Sequence, residues 1–374
     1  MTDLERLPRT AKEFVERTLH QLAFENRDVA VQFVPSPASG ATPEFFRDCN
    51  AVIIRPTDNI STSTELFQHC ARPLHIYSVS AGSDHLSQFS DTALYYRQHC
   101  EGISNERGVA AFNFLLAKTL LARLPANINN VRLGRFRAMP DQTNLVGKTW
   151  LLLGSGKQVK HMLNFGFFTG IKKFIVHNER IDECKFRGCL EKLKWTAGRS
   201  LVVSKEQLSA KIEIEGPVDG VKQTVMEIVG ERDWRKHGGE IDIVSIHVPL
   251  STAKGNVHDS NAGFVNEKWL SNLTNKPVLI NTGRGPLLNE GAVLDALRDG
   301  RLSGVAVDVL DAKVEKKSQS SESALWTEYA RSGSKVKNLL VTPHIAGSAD
   351  GDVLPMWKMM LGKLATAISE GGPR

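Results

Sequence analysis

Along this chain of 374 residues, apolar residues occur either in short continuous runs or at the spacing of one face of a helix. From about residue 148 onward, short β-branched runs predict strands, and the segments between them are long enough for helices. These runs are TWLLLG, KKFIVH, IDIVSIHV, KPVLINTG and GVAVDVL, and EGAVLDALRDG is the clearest helical segment. Strands that alternate with helices predict a doubly wound parallel α/β sheet, which binds ligands at the carboxyl ends of its strands.

The first third of the chain has a similar but less regular pattern. Apolar residues at helical spacing from Leu4 to Leu22 predict an amphipathic helix, and VAVQFV, AVIIRP and LHIYSVS predict strands. The run AAFNFLLAKTLLARL from Ala110 is apolar for too long to be a strand and predicts a buried helix. The connection at about 180–240 is long for two neighbouring strands, so we expect an inserted surface element there.

Composition narrows the classes of function. The 47 basic and 41 acidic residues give a net charge of +6, and the basic residues are scattered, which argues against a nucleic-acid surface. The five cysteines lack metal or redox spacing, so we expect reduced thiols and no metal site. We find neither a signal-peptide pattern nor an apolar run near the roughly 18 residues of a membrane span. The expectation is a cytoplasmic protein with no membrane partner.

The segment WLLLGSGKQV, Trp150 to Val159, allows three interpretations: an ATP loop, a dinucleotide loop, or a tight turn without a ligand. An ATP loop requires G-x-x-x-x-G-K-[ST], but Leu151 occupies the early glycine position and Gln158 follows Lys157. A dinucleotide loop requires G-x-G-x-x-G, and here Val159 replaces the third glycine. Because the loop ends a predicted parallel strand, the dinucleotide interpretation is favoured over the tight turn.

The next strand ends in VHNER, where NAD-binding proteins usually carry an acidic residue for the ribose diol. Here the strand end offers His177 and Asn178, with Glu179 and Arg180 beyond them. Arg180 could pair with a 2'-phosphate, so the pattern favours NADP over NAD. Glu179 leaves NAD open, and Arg180 is also compatible with an ordinary solvated charge.

Seven motifs occur in a family's order and at roughly its spacing. They are SAGSDHL, SNERGV, VGKTWLLLGSGKQV, DIVSIHVPLSTAKGNV, NTGRG, GVAVDVL and TPHIAG. On these motifs the chain resembles the D-isomer-specific 2-hydroxyacid dehydrogenases, particularly glyoxylate and hydroxypyruvate reductases. The resemblance implies a doubly wound parallel Rossmann sheet inserted in a smaller, flavodoxin-like α/β substrate domain. The expected bounds are 1–108 with 348–374 for the substrate domain and 109–347 for the dinucleotide domain.

The resemblance also implies roles for individual residues. His344 of TPHIAG would be the acid/base and Arg284 of NTGRG would bind the substrate, because reducing a 2-oxo acid needs both a proton and a cation for the carboxylate. The glycine turn at Ala81, Gly82 and Ser83 would bind the substrate carboxylate, and Asp308 would hydrogen-bond the nicotinamide carboxamide. His247 is interpreted as a packed strand residue. Together, the residues expected to bind the cofactor are Gly154, Gly156, Lys157, Gln158, His177, Asn178, Arg180, Val248, Pro249, Thr282, Gly283, Asp308 and Gly347.

Three positions depart from the family pattern. The glutamate that pairs with the histidine stands about five residues after the aspartate, and Lys313 occupies that position. Asp311 or Glu315 could supply the carboxylate instead, whereas a lysine facing His344 would depress the pKa of the histidine. Val159 puts tight helix packing in doubt, and Asn113 replaces a glutamate common on that helix.

We therefore expect an oxidoreductase that transfers a hydride between NADP or NAD and a small 2-oxo or D-2-hydroxy acid. A homodimer is expected by analogy with the family. Lys313 supports one alternative from another class, a dinucleotide-binding regulator or scaffold with impaired catalysis. A minor alternative is a formate dehydrogenase, since those enzymes also lack the glutamate and their GSDH turn is matched by Gly82 to His85.

Overall fold

The chain forms two compact units. The computed structural model describes residues 9–25, 47, 49, 51–54, 70, 74–78, 96–99, 105–179, 181–191, 193, 199–204, 208–215, 222–251, 260–311, 314–315, 319–331, 336, 338–348 and 350–369. One unit comprises Met1–Gly108 with Gly347–Arg374, and the other comprises Val109–Ala346. These bounds lie within one residue of those expected, while the substrate and dinucleotide roles of the units stay predictions.

The first unit contains a small parallel sheet and two helices. Its described elements are α1 (Arg9–Glu25), β1 (Ala51–Ile54), β2 (Leu74–Ser78), β3 (Tyr96–His99) and α9 (Asp350–Ser369). The three strands are parallel in the order β1-β2-β3. The apolar stripe of α1 is buried with residues of α9 in one core, as Val15 and Trp357 show. The strand expected at VAVQFV lies outside the described residues.

The second unit, together with the helix that leads into it, contains the larger sheet. Its elements are α2 (Glu106–Leu121), α3 (Leu124–Arg132), β4 (Thr149–Leu153), α4 (Lys157–Phe168), β5 (Lys173–His177), α5 (Glu183–Glu191), β6 (Arg199–Val203), β7 (Ser209–Glu215), β8 (Lys222–Glu231), β9 (Ile243–Ile246), α6 (Glu267–Leu270), β10 (Val278–Asn281), α7 (Glu290–Arg298), β11 (Gly304–Val307), α8 (Ala324–Ala330) and β12 (Leu339–Val341). Short 3-10 helices lie at Arg235–His237, Gly285–Leu287 and Ser320–Glu322.

The larger sheet has nine described strands in the order β12-β11-β10-β9-β4-β5-β8-β7-β6. The strands from β12 to β8 are all parallel. Strands β4, β9, β10 and β11 are buried along their whole length, because helices and loops cover both faces of the sheet. The strand order reverses between β4 and β9, the topological switch point where such sheets bind ligands. The predicted doubly wound fold is confirmed.

The expectation of an inserted surface element at about 180–240 was wrong for most of that segment. Strand β8 lies beside β5 as a parallel member of the sheet, and only β6 and β7 are added as an antiparallel edge. In β8, buried Met226 and Ile228 alternate with residues that keep some exposure. Polar or charged residues at 222–224, 227 and 231 interrupt the apolar positions of this strand, so it lacks the continuous apolar run of its parallel neighbours.

Among the described helices, none by itself is long and apolar enough to cross a membrane; α2 and α3 together reach that length and composition but are bent by 56°. Within the described part of the chain, no group of three or more His, Cys, Asp or Glu side chains is arranged to hold a metal ion.

Candidate active site

The glycine loop joins β4 to α4 and combines a forced turn with open space. Gly154 has a φ of +119°, and a Cβ atom there would lie 2.7 Å from the carbonyl oxygen of His247. Gly156 is the N-cap of α4, and a Cβ atom there would meet nothing within 4 Å. Val159 packs into the core at 2% exposure, which removes the doubt about helix packing. A close approach to backbone N–H groups at a helix N-terminus fits a pyrophosphate.

A line of hydrogen bonds supports this loop from the core. The indole Nε1 of Trp150 donates to Ser245 Oγ at 2.8 Å, and Ser245 Oγ lies 2.7 Å from Nε2 of His247. The other ring nitrogen, Nδ1, lies 2.6 Å from Oε1 of Gln158 on α4. Desolvation lowers the pKa of His247 to about 3, so the ring is neutral. His247 therefore fixes Gln158 and is a structural residue, not an acid or base.

The carboxyl end of β5 contacts the same loop. The side-chain amide of Asn178 donates to Ser155 Oγ at 2.8 Å. His177 Nδ1 lies 3.1 Å from the carbonyl oxygen of Glu231, and desolvation lowers the pKa of this histidine more strongly than that hydrogen bond raises it. His177 and Asn178 thus stand where the sequence expected them, whereas Arg180 lies outside the described residues.

The basic side chains beyond β8 are matched by carboxylates. Lys236 Nζ lies 2.8 Å from Glu231, and Arg235 lies 2.9 Å from Asp233. Arg232 makes a similar contact of 3.1 Å with a glutamate of α5. Since each cation has a carboxylate partner, none of these three offers an uncompensated charge to a phosphate.

Arg284 follows a turn built by Asn281. The fully buried amide of Asn281 donates to the carbonyl oxygen of Arg284 at 2.9 Å and accepts from the N–H of Gly283 at 3.0 Å. The guanidinium of Arg284 donates to the carbonyl oxygen of Gly283 at 2.9 Å. Sequence reasoning missed Asn281, although an asparagine ahead of a tight glycine turn is the type of residue that bonds its own backbone two or three residues on.

Asp308 follows β11 and holds the loop that carries His344. Its carboxylate is 1% exposed and accepts from Thr342 Oγ1 at 2.6 Å, Ile345 N at 2.9 Å and Ala346 N at 2.8 Å. Burial raises the pKa of Asp308 although these hydrogen bonds oppose the rise. His344 itself has a φ of +55°, a backbone conformation that costs on the order of 1–3 kcal/mol and needs such support. The expected contact of Asp308 with a cofactor stays a prediction.

His344 forms an ion pair with Glu315. Nδ1 of the histidine lies 3.0 Å from Oε2 of the glutamate, whose other oxygen accepts from the N–H of Leu310 at 2.7 Å. Partial desolvation opposes the charged imidazole, but the hydrogen bond and charge of Glu315 outweigh it and raise the pKa of His344. The charge of Asp308 adds to this rise, and that of Arg284 opposes it.

Of the two carboxylates that the sequence left open, Glu315 therefore pairs with the histidine, and Asp311 accepts the backbone N–H of Glu315 through its carbonyl oxygen at 3.0 Å. The pKa of His344 is raised, and the effect that a lysine facing His344 would have on it stays a prediction. Lys313 lies outside the described residues. That backbone hydrogen bond between Glu315 and Asp311 helps to hold the carboxylate that reaches His344.

Some of the remaining predicted residues lie in the described part of the chain, and the others lie outside it. Val248 and Pro249 follow β9, where the carbonyl oxygen of Pro249 accepts from Asn261 at 2.8 Å. Gly347 lies in the first unit, and its carbonyl oxygen accepts from Asn105 at 3.4 Å. The three expected substrate-binding residues, Ala81, Gly82 and Ser83, lie outside the described part of the chain.

The second unit thus has the fold and loop geometry of a dinucleotide-binding α/β protein. Residues 220–346 match the sequence model of the D-isomer specific 2-hydroxyacid dehydrogenase NAD-binding domain. This match includes Arg284, Glu315 and His344, and the predicted resemblance to that family is confirmed. The expected preference for NADP finds no support, since the family description specifies NAD.

Relatives with known names match over a similar number of residues. The glyoxylate reductase of Aeropyrum pernix is 30% identical over 132 residues, which cover 35% of this chain and 33% of that protein. The glycerate dehydrogenase of Methylorubrum extorquens is 31% identical over 105 residues, 28% of each chain. Matches to the curated relatives span about a third of their length.

Solved structures match over nearly the whole chain. The D-lactate dehydrogenase of Aquifex aeolicus, solved with NAD and lactic acid, gives a TM-score of 0.65 and covers 98% of this chain and 94% of its own. Its sequence is 18% identical, so the likeness shows the fold.

Proposed function

We propose that this protein is an NAD-dependent dehydrogenase that interconverts a small 2-oxo acid and a D-2-hydroxy acid. The observation that carries the proposal is the His344–Glu315 pair at 3.0 Å, on a loop clamped by Asp308 and in electrostatic reach of Arg284. An imidazole whose pKa is raised by a carboxylate, within electrostatic reach of a guanidinium, is the combination that reduction of a carbonyl next to a carboxylate requires.

The residues present fit a dinucleotide. The open space over Gly156 and the N–H groups that begin α4 would hold the pyrophosphate, and Thr282 and Gly283 would line the nicotinamide side. When bound, the nicotinamide supplies or accepts the hydride. The protein's own side chains perform the other parts of the reaction, which are proton transfer and substrate binding.

In the reducing direction, protonated His344 gives its proton to the oxygen of the substrate carbonyl as negative charge develops there. Glu315 keeps the imidazole charged and orients Nδ1, so Nε2 is the atom that faces the substrate. Arg284 binds the substrate carboxylate and polarises the carbonyl. In the oxidising direction neutral His344 accepts the hydroxyl proton.

NAD is the cofactor we propose in place of NADP. Desolvation lowers the pKa of His177, and the negative charge of neighbouring Glu179 opposes that fall. The described cations beyond β8 are ion-paired. A 2'-phosphate would meet these carboxylates unfavourably. The substrate proposed is as small as glyoxylate or hydroxypyruvate, in keeping with the names of the relatives. Ala81, Gly82 and Ser83 are the proposed contacts for its carboxylate, and a homodimer is the proposed assembly.

The regulator hypothesis depended on Lys313 having replaced the carboxylate. Because Glu315 supplies a carboxylate to His344, the described site retains the parts that proton transfer needs. No described feature favours a second function.

The decisive experiment follows the absorbance of reduced nicotinamide when NADH or NADPH is mixed with glyoxylate, hydroxypyruvate, pyruvate and bulkier 2-oxo acids. We expect oxidation of NADH with the small acids and slower oxidation of NADPH. Tight cofactor binding without turnover of any 2-oxo acid or formate would reject the proposal in favour of a dinucleotide-binding regulator.

A His344→Ala variant tests whether His344 is the general acid of the reaction. Its kcat should fall by about 10²- to 10⁴-fold, the usual contribution of a general acid. The matched control is His237→Gln, because His237 also lies between carboxylates, 2.5 Å from Glu240 and 3.2 Å from Glu231, but on another loop. Activity of His344→Ala equal to that of the wild type would exclude the assigned role.

A further inference from the structure

Asn113 is a fully buried polar residue on α2 that the proposed chemistry does not use. Its side-chain nitrogen Nδ2 donates to the carbonyl oxygen of Val109 at 2.8 Å and to Oγ1 of Thr282 at 2.8 Å. Its oxygen Oδ1 is buried and has no hydrogen-bond partner among the described residues. A buried amide that leaves its own oxygen unsatisfied indicates that the other contacts decide its orientation.

The orientation of this amide follows from the chemistry of its partners. A carbonyl oxygen can only accept, so the atom of Asn113 that faces Val109 is the nitrogen. The two protons of that nitrogen serve Val109 and Thr282, and Oγ1 of Thr282 is therefore the acceptor in its contact with Asn113. The hydroxyl proton of Thr282 has to be donated elsewhere.

Thr282 directly follows β10 and lies within the turn that presents Arg284. Its position continues the face of β10 formed by Val278 and Ile280, which packs with α2 in one core. The residue is 8% exposed, and the described part of the chain gives its hydroxyl no acceptor. The remaining direction for this proton is the ligand side of the strand end.

We infer that Asn113 is a positioning residue, which holds Thr282 as a one-way hydrogen-bond donor to the carboxamide oxygen of the bound nicotinamide. This inference rests on the proposed function. A free hydroxyl could rotate and present a lone pair to the carboxamide oxygen, which would repel it. The amide of Asn113 occupies one of the two lone pairs of Oγ1, which excludes the rotamer that points the hydroxyl proton back at Asn113 and leaves that proton for the ligand side.

The test is a double-mutant cycle on the affinity for NADH, measured by fluorescence titration of the full chain. Thr282→Val keeps the shape and should weaken NADH binding by roughly tenfold, while Thr282→Ser should restore most of the affinity. Asn113→Leu should weaken binding by a smaller factor. Because Asn113 acts through Thr282, the double variant should bind NADH no more weakly than Thr282→Val.

A cofactor analogue identifies the acceptor. Reduced thionicotinamide adenine dinucleotide carries a weakly accepting sulfur in place of the carboxamide oxygen. The loss of affinity caused by Thr282→Val should therefore shrink to less than about twofold with this analogue. Multiplicative losses in the double variant, or equal losses with both cofactors, would mean that Asn113 and Thr282 are merely structural. Either result overturns the inference.

Two controls keep the outcomes separate. Wild-type protein that neither binds NADH nor turns over a 2-oxo acid would refute the proposed function itself, whereas an active wild type with unchanged affinity in Thr282→Val refutes only this inference. Thermal melts report whether Asn113→Leu folds. If it does not, the isosteric Asn113→Asp replaces it, and this variant should weaken NADH binding because a carboxylate cannot donate to Thr282.

Discussion

At the residue scale, the protonation state of His344 decides which direction of the proposed reaction is faster. Reduction uses the charged imidazole and oxidation uses the neutral one. Glu315 raises the pKa of His344 above its ordinary value, so the charged form persists to higher pH. The value of kcat/KM for reduction should therefore fall only as the pH rises through this raised pKa, and that for oxidation should increase over the same interval.

Replacing Glu315 by Gln tests this assignment. The amide keeps the shape but removes the charge 3.0 Å from Nδ1, so the pKa of His344 falls and the alkaline decline of reduction moves to lower pH. The measurement is the pH profile of kcat/KM for reduction. Glu240→Gln is the control, because Glu240 pairs with His237 and Lys173 outside the site. An unshifted profile in Glu315→Gln would show that another group sets the pKa.

Substitution by alanine should have different effects at the two loop glycines. Gly154→Ala places a Cβ 2.7 Å from the His247 carbonyl oxygen at a φ of +119°, and the backbone strain alone should cost about 1–3 kcal/mol of unfolding free energy. Gly156→Ala meets open space and should lose only about 0.5–1 kcal/mol as a poorer N-cap, while its methyl group obstructs the pyrophosphate.

Denaturant unfolding and NADH titration of both variants separate these effects. Stability should be the main loss in Gly154→Ala, and cofactor affinity should be the main loss in Gly156→Ala. If both glycine variants bind NADH as the wild type does, the loop is a tight turn without a ligand.

The residues of the site differ in how far the sequence could reveal them. Arg284 and His344 were found because their motifs surround them with fixed neighbours. Glu315 was found only as one of two candidates, since the choice depends on a local backbone conformation, marked by the hydrogen bond from Glu315 N to the Asp311 carbonyl oxygen, that a spacing rule cannot anticipate. The partnership of Asn113 with Thr282 joins positions 169 residues apart in the chain, and no local pattern contains such information.

At the element scale, the sequence predicted β1, β2 and the apolar strands of the larger sheet, and it missed the other described strands. Strands β4, β5, β9, β10 and β11 are continuous apolar runs, which the sequence shows directly. Strand β12 has three residues, and in β8 polar and charged side chains interrupt the apolar ones, in a segment that resembled an insertion. The sheet pairing that makes β8 a parallel neighbour of β5 is a long-range property.

Three hydrogen bonds to the carboxylate of Asp308 hold the loop at Thr342–Ala346, so removing one of them should destabilise that loop. Thr342→Val removes a 2.6 Å hydrogen bond to a buried carboxylate and should lower the unfolding free energy by about 1.5–3 kcal/mol, as well as kcat, because His344 loses support. Thr327→Val is the matched control, since Thr327 donates to a neutral carbonyl at an exposed site. Denaturant unfolding and steady-state rates measure both variants. Comparable losses in the two would contradict a specific clamp.

At the scale of the whole molecule, each unit has its own hydrophobic core. Two core clusters lie entirely within residues 110–341, on the two faces of the larger sheet. A third cluster joins α1 and α9 with the small sheet of the first unit. A unit with a core of this kind is large enough to fold by itself, because it buries most of its apolar surface without help.

A fragment of residues 105–346, which keeps α2 whole, should therefore fold and bind NADH. It contains the glycine loop, Arg284 and the His344–Glu315 pair, so its affinity for NADH should stay within about tenfold of the full chain. It lacks Ala81, Gly82 and Ser83, and reduction of 2-oxo acids should be lost. Circular dichroism with thermal melts reports folding, and fluorescence titration reports binding. A folded fragment that reduces glyoxylate at the rate of the full chain would show that the glycine turn at Ala81 to Ser83 is not part of the substrate site.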